Sequence, residues 1–498
     1  MTPSPARARL ALAVLTLPAL LVALDLSVLL VALPQLSEQL GADAAQQLWI
    51  TDVYGFLVAG FLVTMGTLGD RVGRRRLLLV GAAAFGAASL AAAFAPTPEL
   101  LIAARAALGI AGATLMPSAL ALVTELFPDP RAQGSAVAVV FSAIMAGGAL
   151  GPAVGGLLLA HFWWGSVFLP GVAVMVLLLA VGPRLLPAGR GRAHTQGARL
   201  DPLSVGLSLL ALLPLVYGVK ELARGIVDVP TVAALVVGVV AGVAFVVRQR
   251  RLPRPLLDLA LFTRPALRGA LLTMLLGGVV MGGVFLVVTQ YLQLVADLSP
   301  LAAGLATVPG TVAMLLGVLA GPKLATRVRP AAVMAGGLAL AAVGLGAVAL
   351  AAGHGTVWLV VAFTVALAGM GLPGGLGVGL VIGSAPPEQA GSASALSETG
   401  QELGMAAGLA GIGSLAVAVY RLLVPADVPA QARDSLAGAH ALGDETVLAA
   451  AREAFTGALG VVAAVCAALL VGVAVLAAVS LRHVPAVGAE PERELAPV

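Results

Sequence analysis

The chain has 498 residues, of which 60% are hydrophobic and only 10% are charged. A soluble domain carries roughly a quarter charged residues, so this composition excludes a soluble globular protein and indicates an integral membrane protein. The formal net charge of +4 is distributed over short segments between apolar blocks. This distribution favours a role in membrane orientation, and we expect no nucleic-acid partner.

Apolar blocks recur from Leu10 to Leu481 with short polar breaks. A bilayer-spanning helix needs about 20 apolar residues, and open strand edges cannot exist in hydrocarbon, so these continuous runs predict helices and not a barrel. The first run lacks an Ala-x-Ala cleavage pattern and is expected to be a retained helix. Fourteen spans are predicted, near 10–33, 47–69, 77–95, 99–123, 134–159, 165–186, 202–219, 231–247, 267–290, 303–321, 331–352, 357–382, 394–419 and 455–481.

The loop arginines collect on one side of the membrane when the N-terminus is placed inside. The positive-inside rule then predicts that both termini are cytoplasmic. Two basic segments, 187–199 and 248–268, read as linkers. The predicted organisation is an N-terminal six-helix bundle (1–200), two additional helices (201–250), and a C-terminal six-helix bundle (251–498) with an outer loop (420–454) and a short cytoplasmic tail.

The last six spans resemble the first six. Their alignment pairs the loop at 66–76 with the loop at 321–329, both of which are short, basic and headed by glycine. It also pairs helix 5 with helix 13. A weak internal repeat of this kind is typical of transporter folds that are built from two related halves.

The segment from Gly147 to Gly156 contains five glycines and a proline. A phosphate-binding loop would need a preceding strand and a Gly-Lys-Ser/Thr ending, but the segment lies inside an apolar span without Lys, Ser or Thr. We therefore interpret it as a membrane helix. Gly147, Gly151 and Gly155 form a smooth stripe for close helix packing, and Pro152 should bend the helix. We expect a sliding and bending surface between the halves, involved in conformational change and not in substrate contact.

Helix 13 carries the same four-residue repeat at Gly400, Gly404 and Gly408. Glu398 and Glu402 lie two positions away from two of these glycines, about 200° around the helix. One face of helix 13 should therefore pack against a neighbour, while the opposite face presents acids.

Ionisable residues within membrane spans are costly and indicate function. Four acids and one base suggest a cavity that favours cations, and burial among charged neighbours makes proton exchange near neutral pH chemically reasonable. The five residues are Asp25, Asp52, Arg105, Glu398 and Glu402.

We expect Asp25, Asp52 and Arg105 to lie at one level of the N-terminal half. Asp25 is the first choice for substrate and proton contact, followed by Glu402 and Glu398, with Asp52 as an acid of the outer vestibule. Three alternatives stay open: a structural ion pair between Asp25 and Arg105, an Asp52 exposed at the interface, and a structural role for the two glutamates.

Asp70 and Arg71 lie at the end of helix 2. Asp70 is expected to cap helix 3 and to pair with Arg71 or a base of an adjoining helix, either as a breakable gating contact or as a simple cap. Tyr54 and Phe141 are candidates for lining a cavity because an aromatic ring can stack on a flat cation, although packing is the favoured interpretation of both.

The pattern Gly147-x-x-x-Gly151-Pro152-x-x-Gly155-Gly156 resembles the helix 5 motif of drug:proton antiporters of the major facilitator superfamily. The fourteen predicted spans resemble the branch that exports quaternary ammonium compounds and dyes. Leu108 stands where a glutamine is usual in the helix 4 motif, and the second loop lacks an aspartate. Further similar motifs are Gly66-x-Leu68-Gly69-Asp70-Arg71-x-Gly73-Arg74-Arg75, Leu101-x-x-x-Arg105-x-x-x-Gly109, Leu24-Asp25 with Ala32-Leu33-Pro34, Trp49-Ile-x-Asp52-x-Tyr54, and Ser397-Glu398-x-x-x-Glu402-x-Gly404.

This resemblance implies an all-α major facilitator fold in the cell membrane. It also implies export of lipophilic cationic drugs, dyes and quaternary ammonium compounds by alternating access, driven by the proton motive force without a cofactor, in a protein that functions as a monomer. The alternative is export of a specific metabolite or a self-made antibiotic. We expect no enzyme, since no buried Ser and His form a pair, and no metal site, since the histidines lack ligand spacing.

Overall fold

The computed structural model describes residues 5–42, 44–187, 201–223, 227–252, 255, 257, 263–386, 389–425 and 427–485. Most of the first predicted linker, at 188–200, lies outside the described residues. Sixteen α-helices and no strand occur in the described part. The predicted all-α class is confirmed.

The helices are α1 (Pro5–Leu40), α2 (Ala44–Val72), α3 (Arg74–Ala93), α4 (Pro98–Leu126), α5 (Pro130–His161), α6 (Leu169–Leu185), α7 (Pro202–Ala223), α8 (Val229–Gln249), α9 (Pro265–Gln290), α10 (Pro300–Leu324), α11 (Pro330–Ala351), α12 (Thr356–Ser384), α13 (Ala390–Leu423), α14 (Ala430–Asp434), α15 (Leu436–Leu442) and α16 (Glu445–Ser480).

Thirteen of the described helices are long and apolar enough to cross a membrane, and the bent α5 makes a fourteenth if its two parts form one span. The largest boundary error concerns the last span, which was predicted to begin near 455. α16 begins at Glu445, because the Asp444 carboxylate accepts hydrogen bonds from the backbone N–H groups of Thr446 at 2.9 Å and Val447 at 3.2 Å. An N-cap of this kind fixes a helix start that hydropathy does not show.

Two groups of helices repeat the same packing. α1 packs on α5, α2 on α4 and α3 on α6; in the second half α9 packs on α13, α10 on α12 and α11 on α16. We call α1–α6 the N-terminal bundle, and α9–α13 with α16 the C-terminal bundle. The predicted correspondence of helix 5 with helix 13 follows from this arrangement.

The glycine stripe of α5 packs within its own bundle. A Cβ atom added at Gly147 would overlap the Leu20 carbonyl oxygen, and one added at Gly151 would overlap the Ser27 hydroxyl. Both contacts are to α1. The expectation that this stripe forms a sliding surface between the halves is therefore wrong. A four-residue stripe shows that a backbone approaches closely without showing which helix it belongs to.

α13 uses its stripe in the same way. A Cβ atom at Gly404 would overlap the Leu275 carbonyl oxygen and one at Gly408 that of Val279, both on α9, whereas Gly400 faces open space. The prediction that α5 bends at Pro152 agrees with the structure, since the segments Pro130–Gly148 and Ala153–His161 meet at 45° across Pro152.

The bundles meet at one end, which we call the basic end because α2 ends and α3 begins there, with Arg71 and Arg74. Gly66 of α2 lies against Gly391 of α13, and Gly134 of α5 lies against Pro322 of α10. The residues of the C-terminal bundle that share a core cluster with the N-terminal bundle all lie near the basic ends of α9, α12 and α13: Leu267, Ala270, Met274, Val378, Val381, Ile382, Ala385, Ala390 and Ala393.

α7 and α8 form a hairpin that packs on both α2 and α13. At the basic end, polar side chains join α7 to α8. Asp201 pairs with Arg248 at 2.7 Å and accepts a hydrogen bond from the Ser204 hydroxyl at 2.6 Å, and Gln249 donates to Ser204 Oγ at 2.8 Å. The hairpin thus has its own fixed register.

We predict that Gly147→Ala lowers the free energy of unfolding of the detergent-solubilised protein by about 1–3 kcal/mol, because the new methyl group meets the α1 backbone. Gly148→Ala is the matched control, since a Cβ atom at Gly148 meets nothing within 4 Å. The buried thiol of Cys466, the single cysteine, reports unfolding by its reaction with a fluorescent maleimide. Equal melting temperatures for the two variants would contradict this packing.

The hydrogen bond from Arg248, followed by that from the Ser204 hydroxyl, holds the pKa of Asp201 below its usual range. A depressed pKa stabilises the fold above the unfolded-state pKa of about 3.9, and this contribution is lost as the pH falls towards the folded-state value. We predict that the native protein has a higher melting temperature than the Asp201→Asn variant at neutral pH. The difference in melting temperature should shrink below about pH 4. A difference that persists unchanged at acidic pH would exclude the proposed ion pair as its cause.

Candidate functional site

A buried ion pair joins α1 to α4. Arg105 is fully buried and Asp25 is 7% exposed. The Arg105 Nη1 group donates to Asp25 Oδ2, and Nε donates to the Ile50 carbonyl oxygen of α2 at 3.0 Å. The pair therefore connects three helices of the N-terminal bundle. Removing one partner of such a pair leaves an uncompensated buried charge, which costs about 3–5 kcal/mol.

Tyr54 supports this pair from α2. The guanidinium carbon of Arg105 lies 4.6 Å from the centre of the Tyr54 ring, within the range of a cation–π interaction. The ring of the buried Tyr54 therefore stacks on a cation of the protein itself, the guanidinium of Arg105. Neither Tyr54 Oη nor Arg105 Nη2 has a hydrogen-bond partner among the described residues. The arginine thus retains donor capacity at Nη2.

Asp52 lies on another face of α2. Ile50 and Tyr54 face Arg105, and Asp52 lies two residues from each, about 200° around α2. Its carboxylate, which is half-buried, belongs to the face of Phe56, where α2 meets Tyr217 of α7. The prediction that Asp25, Asp52 and Arg105 lie at one level concerned depth alone, and helix geometry adds that Asp52 points to a different side of α2 from Ile50 and Tyr54.

Glu398 and Glu402 lie on the face of α13 that turns towards the N-terminal bundle. Their spacing from Gly391 and Ala395, which contact α2, keeps all four residues on one side of the helix. Glu398 is half-buried and accepts a hydrogen bond from Ser394 Oγ at 3.4 Å. Glu402 is exposed although it lies midway along a membrane-spanning helix. It therefore faces the space between the bundles.

Tyr54 lies within electrostatic range of charges from both bundles. The charges of Asp25, Arg105 and Glu402 all act on Tyr54, and Glu402 also acts on Glu398. Tyr54 thus lies near the buried pair of the N-terminal bundle and near Glu402 of the C-terminal bundle, and Glu398 lies near Glu402.

Asp70 connects the bundles at the basic end. Its carboxylate accepts hydrogen bonds from the backbone N–H groups of Gly391 at 3.2 Å and Ser392 at 3.1 Å, and from the Ser392 hydroxyl at 3.1 Å. It also pairs with Arg74 Nε at 3.2 Å, and Arg74 reaches Glu125 at 3.1 Å. A carboxylate at the first turn of a helix is stabilised by the helix dipole. Asp70 therefore caps α13.

The predicted cap on α3 is wrong, because α3 begins after Gly73 without a side-chain cap. The predicted pairing of Asp70 with a base is present, with Arg74 as the base. Arg71 extends towards the second linker, where its guanidinium lies 3.5 Å from the Pro255 carbonyl oxygen. Phe141 is half-buried and packs against the core of the N-terminal bundle.

Two residues of this region were missed by sequence reasoning. Ser392 carried no signal, because it contacts Asp70 across 322 residues of chain. Glu125 could have been found as a lone acid after an apolar run, but it falls just beyond the predicted end of span 4.

Two related bundles around buried charges define a helical membrane protein with the architecture of secondary transporters. The family model of the Major Facilitator Superfamily matches residues 15–409. The chain is 42% identical to the multidrug efflux pump LfrA of Mycolicibacterium smegmatis, over 97% of this chain and 98% of that protein. It is 33% identical to the methyl viologen resistance protein SmvA of Salmonella typhimurium, over 88% of this chain and 89% of that protein.

A solved structure shows the same fold. The human organic anion transporter MFSD10 superposes with a TM-score of 0.59 at 19% identity, over 94% of this chain and 100% of that chain. The chain belongs to the Major Facilitator Superfamily and is a multi-pass membrane protein, as the motifs predicted.

We predict that Asp70→Ala loosens the contact between the bundles. Hydrogen bonds to a charged group contribute about 1.5–3 kcal/mol, so the labelling rate of a Thr67→Cys reporter at the α2/α13 contact should rise about tenfold or more. Cys466→Ala supplies the background, and a water-soluble maleimide is added from the basic end.

Asp129→Ala is the matched control for this measurement. Asp129 also caps a helix at the basic end, by accepting from Ala132 N at 2.8 Å, but within one bundle. Equal labelling of the Asp70 and Asp129 variants would show that Asp70 does not hold the bundles together.

Proposed function

We propose that the protein exports lipophilic cations in exchange for protons by alternating access across the cell membrane. The observation that carries this proposal is the pair of acids on α13, Glu398 and Glu402, that turns towards the N-terminal bundle, where the buried acid is already paired with an arginine. Arg105 is paired with Asp25, so the net charge that a substrate meets comes from Glu398 and Glu402. A cation is favoured there and an anion is not.

The basic end is proposed to face the cytoplasm, because the positive-inside rule places arginine-rich loops there. Both described termini would then be cytoplasmic. The bundles meet at this end, where Asp70 caps α13. On this proposal, the described conformation is closed to the cytoplasm, and it exposes Glu402 towards the opposite side.

The proposed coupling uses competition for carboxylates. A proton that enters from outside neutralises Glu402 and reduces the affinity of the site for a cation. A proton on Asp25 removes one partner of the buried pair and leaves Arg105 uncompensated. That cost can be relieved by rearranging α1, α2 and α4, which the pair joins. Protonation thereby becomes a change in helix packing, and the proton motive force needs no cofactor.

The relatives support the substrate class. LfrA is a multidrug efflux pump, and methyl viologen, in the name of SmvA, is an organic dication. We propose small lipophilic cations as substrates and a monomer as the functional unit. The alternative function is export of one metabolite or antibiotic. A growth-inhibition panel of dyes, biocides and antibiotics separates the two, because this alternative would give resistance to a single class of compound.

We predict that Asp25→Asn and Glu402→Gln each lower proton-driven ethidium transport in reconstituted vesicles by about tenfold or more, because each removes an ionisable group from the membrane interior. Glu99→Gln should keep the native rate. Glu99 is exposed, and its carboxylate accepts a hydrogen bond from Gln46 Nε2 at 2.6 Å, outside the site.

The comparison is made at equal amounts of correctly folded protein, with an imposed pH gradient and after its collapse. A native transport rate that is the same with and without the pH gradient would overturn proton coupling. Full activity of both site variants would show that the cations use other groups.

A further inference from the structure

The two lateral seams between the bundles differ in polarity. At the seam of α2 and α13, Glu398 and Glu402 accompany a pair of buried hydroxyls, Thr67 and Ser392, 3.5 Å apart. At the seam of α5 and α10 the helix sequences carry charged or titratable side chains only near their ends, at Arg131, His161 and Lys323. Only the first seam would expose acids if it opened towards lipid.

α7 follows the α2 side of that seam through a regular series of contacts. Ser208 Oγ lies 3.4 Å from Thr64 Oγ1 in a buried hydroxyl pair. Leu213 fills the space beside Gly60, where an added Cβ atom would lie 2.6 Å from Leu213 Cδ2. Tyr217 reaches Phe56, with ring centres 6.4 Å apart. Positions 64, 60 and 56 are one helical turn apart, so α7 is aligned along α2 in one register.

α7 packs on α13 about as extensively as on α2, and apolar clusters join the hairpin to α13. Leu403 of α13 packs against the small apolar cluster of Phe56, Ala59 and Val216. Leu396, two turns nearer the basic end of α13, packs against the cluster of Phe245 and Leu257. Both are leucine side chains on apolar surfaces, where the attraction is non-directional.

The other side of the hairpin faces outwards. α8 presents a row of exposed valines in a membrane-spanning helix, namely Val232, Val236, Val239, Val240 and Val243. The hairpin therefore stands between lipid and the polar seam.

We propose that α7 and α8 are a cover for the α2/α13 seam that moves with the N-terminal bundle and slides over α13. The proposal rests on alternating access, as proposed above, which requires α2 and α13 to separate at the basic end. Unpaired polar groups in hydrocarbon cost several kcal/mol each. A cover fixed to α2 keeps the hydroxyls and acids of the seam away from lipid while the bundles separate. The seam of α5 and α10, whose helices carry no acids, needs no such cover.

Two cysteine pairs of the same chemistry test this proposal. Thr64→Cys with Ser208→Cys links α7 to α2, and Thr67→Cys with Ser392→Cys links α13 to α2. Each pair replaces one threonine and one serine whose hydroxyl oxygens lie 3.4 and 3.5 Å apart, and the two α2 positions are one turn apart. Cys466→Ala removes the native thiol.

After oxidation and verification of each disulfide by loss of free thiols, the 64–208 pair should keep roughly half or more of the ethidium transport of its reduced form. The 67–392 pair should lose transport at least about tenfold and recover it on reduction. Loss of transport by the oxidised 64–208 pair to the same extent would overturn the proposal, as would failure of that disulfide to form. Absence of transport in the reduced proteins would instead refute the proposed function.

A distance measurement tests the cover without any transport substrate. Spin labels are placed at the exposed positions Val80 of α3, Val240 of α8 and Val343 of α11. Asp70→Ala is used to release the basic end. The distance between Val80 and Val240 should keep one narrow distribution, while the distance between Val240 and Val343 broadens or shifts. A larger change between Val80 and Val240 would show that the hairpin moves with the C-terminal bundle.

Discussion

A full charge in the membrane interior must be paired, and the Asp25–Arg105 pair meets this constraint for the N-terminal bundle. The guanidinium has no exposed surface, so its solvation comes from Asp25, the Ile50 carbonyl and the Tyr54 ring, on two other helices. In the proposed cycle, the relative positions of α1, α2 and α4 depend on the protonation of Asp25. Such a dependence is what a proton-driven conformational change requires, and a hydrophobic core alone cannot supply it.

The two bundles share their packing but not their chemistry. Glycine stripes bring α5 onto α1 and α13 onto α9 at equivalent places. These contacts pack two helices of each bundle closely together. The acids then differ: Asp25 is buried within one bundle, whereas Glu402 faces the space between the two. This asymmetry gives the proposed cycle one internal proton site and one site that is accessible to a cation. Asp70 of α2 accepts hydrogen bonds from backbone N–H groups of α13 and so joins the two bundles at the basic end.

Much of the fold was predictable because span length and hydropathy follow from the bilayer thickness. The buried pair was also foreseeable as an alternative, since Asp25 and Arg105 fall at similar depths. Depth did not give orientation, so it could not show that Asp52 lies on a different face of α2 from Tyr54. The glycine stripe showed close packing but not its partner, which is α1. The capping of α13 by Asp70 could not be read at all, because hydrogen bonds across 321 and 322 residues leave no local pattern.

The central claim is that a cation and a proton compete for the same carboxylates, and proton release on binding tests it most directly. The purified protein in weakly buffered detergent at neutral pH receives a dye cation, and a pH indicator records the protons released at saturation. The account predicts release by the native protein, and a clear reduction in Glu402→Gln at equal dye occupancy. Binding of the dye by the native protein without any proton release would contradict it.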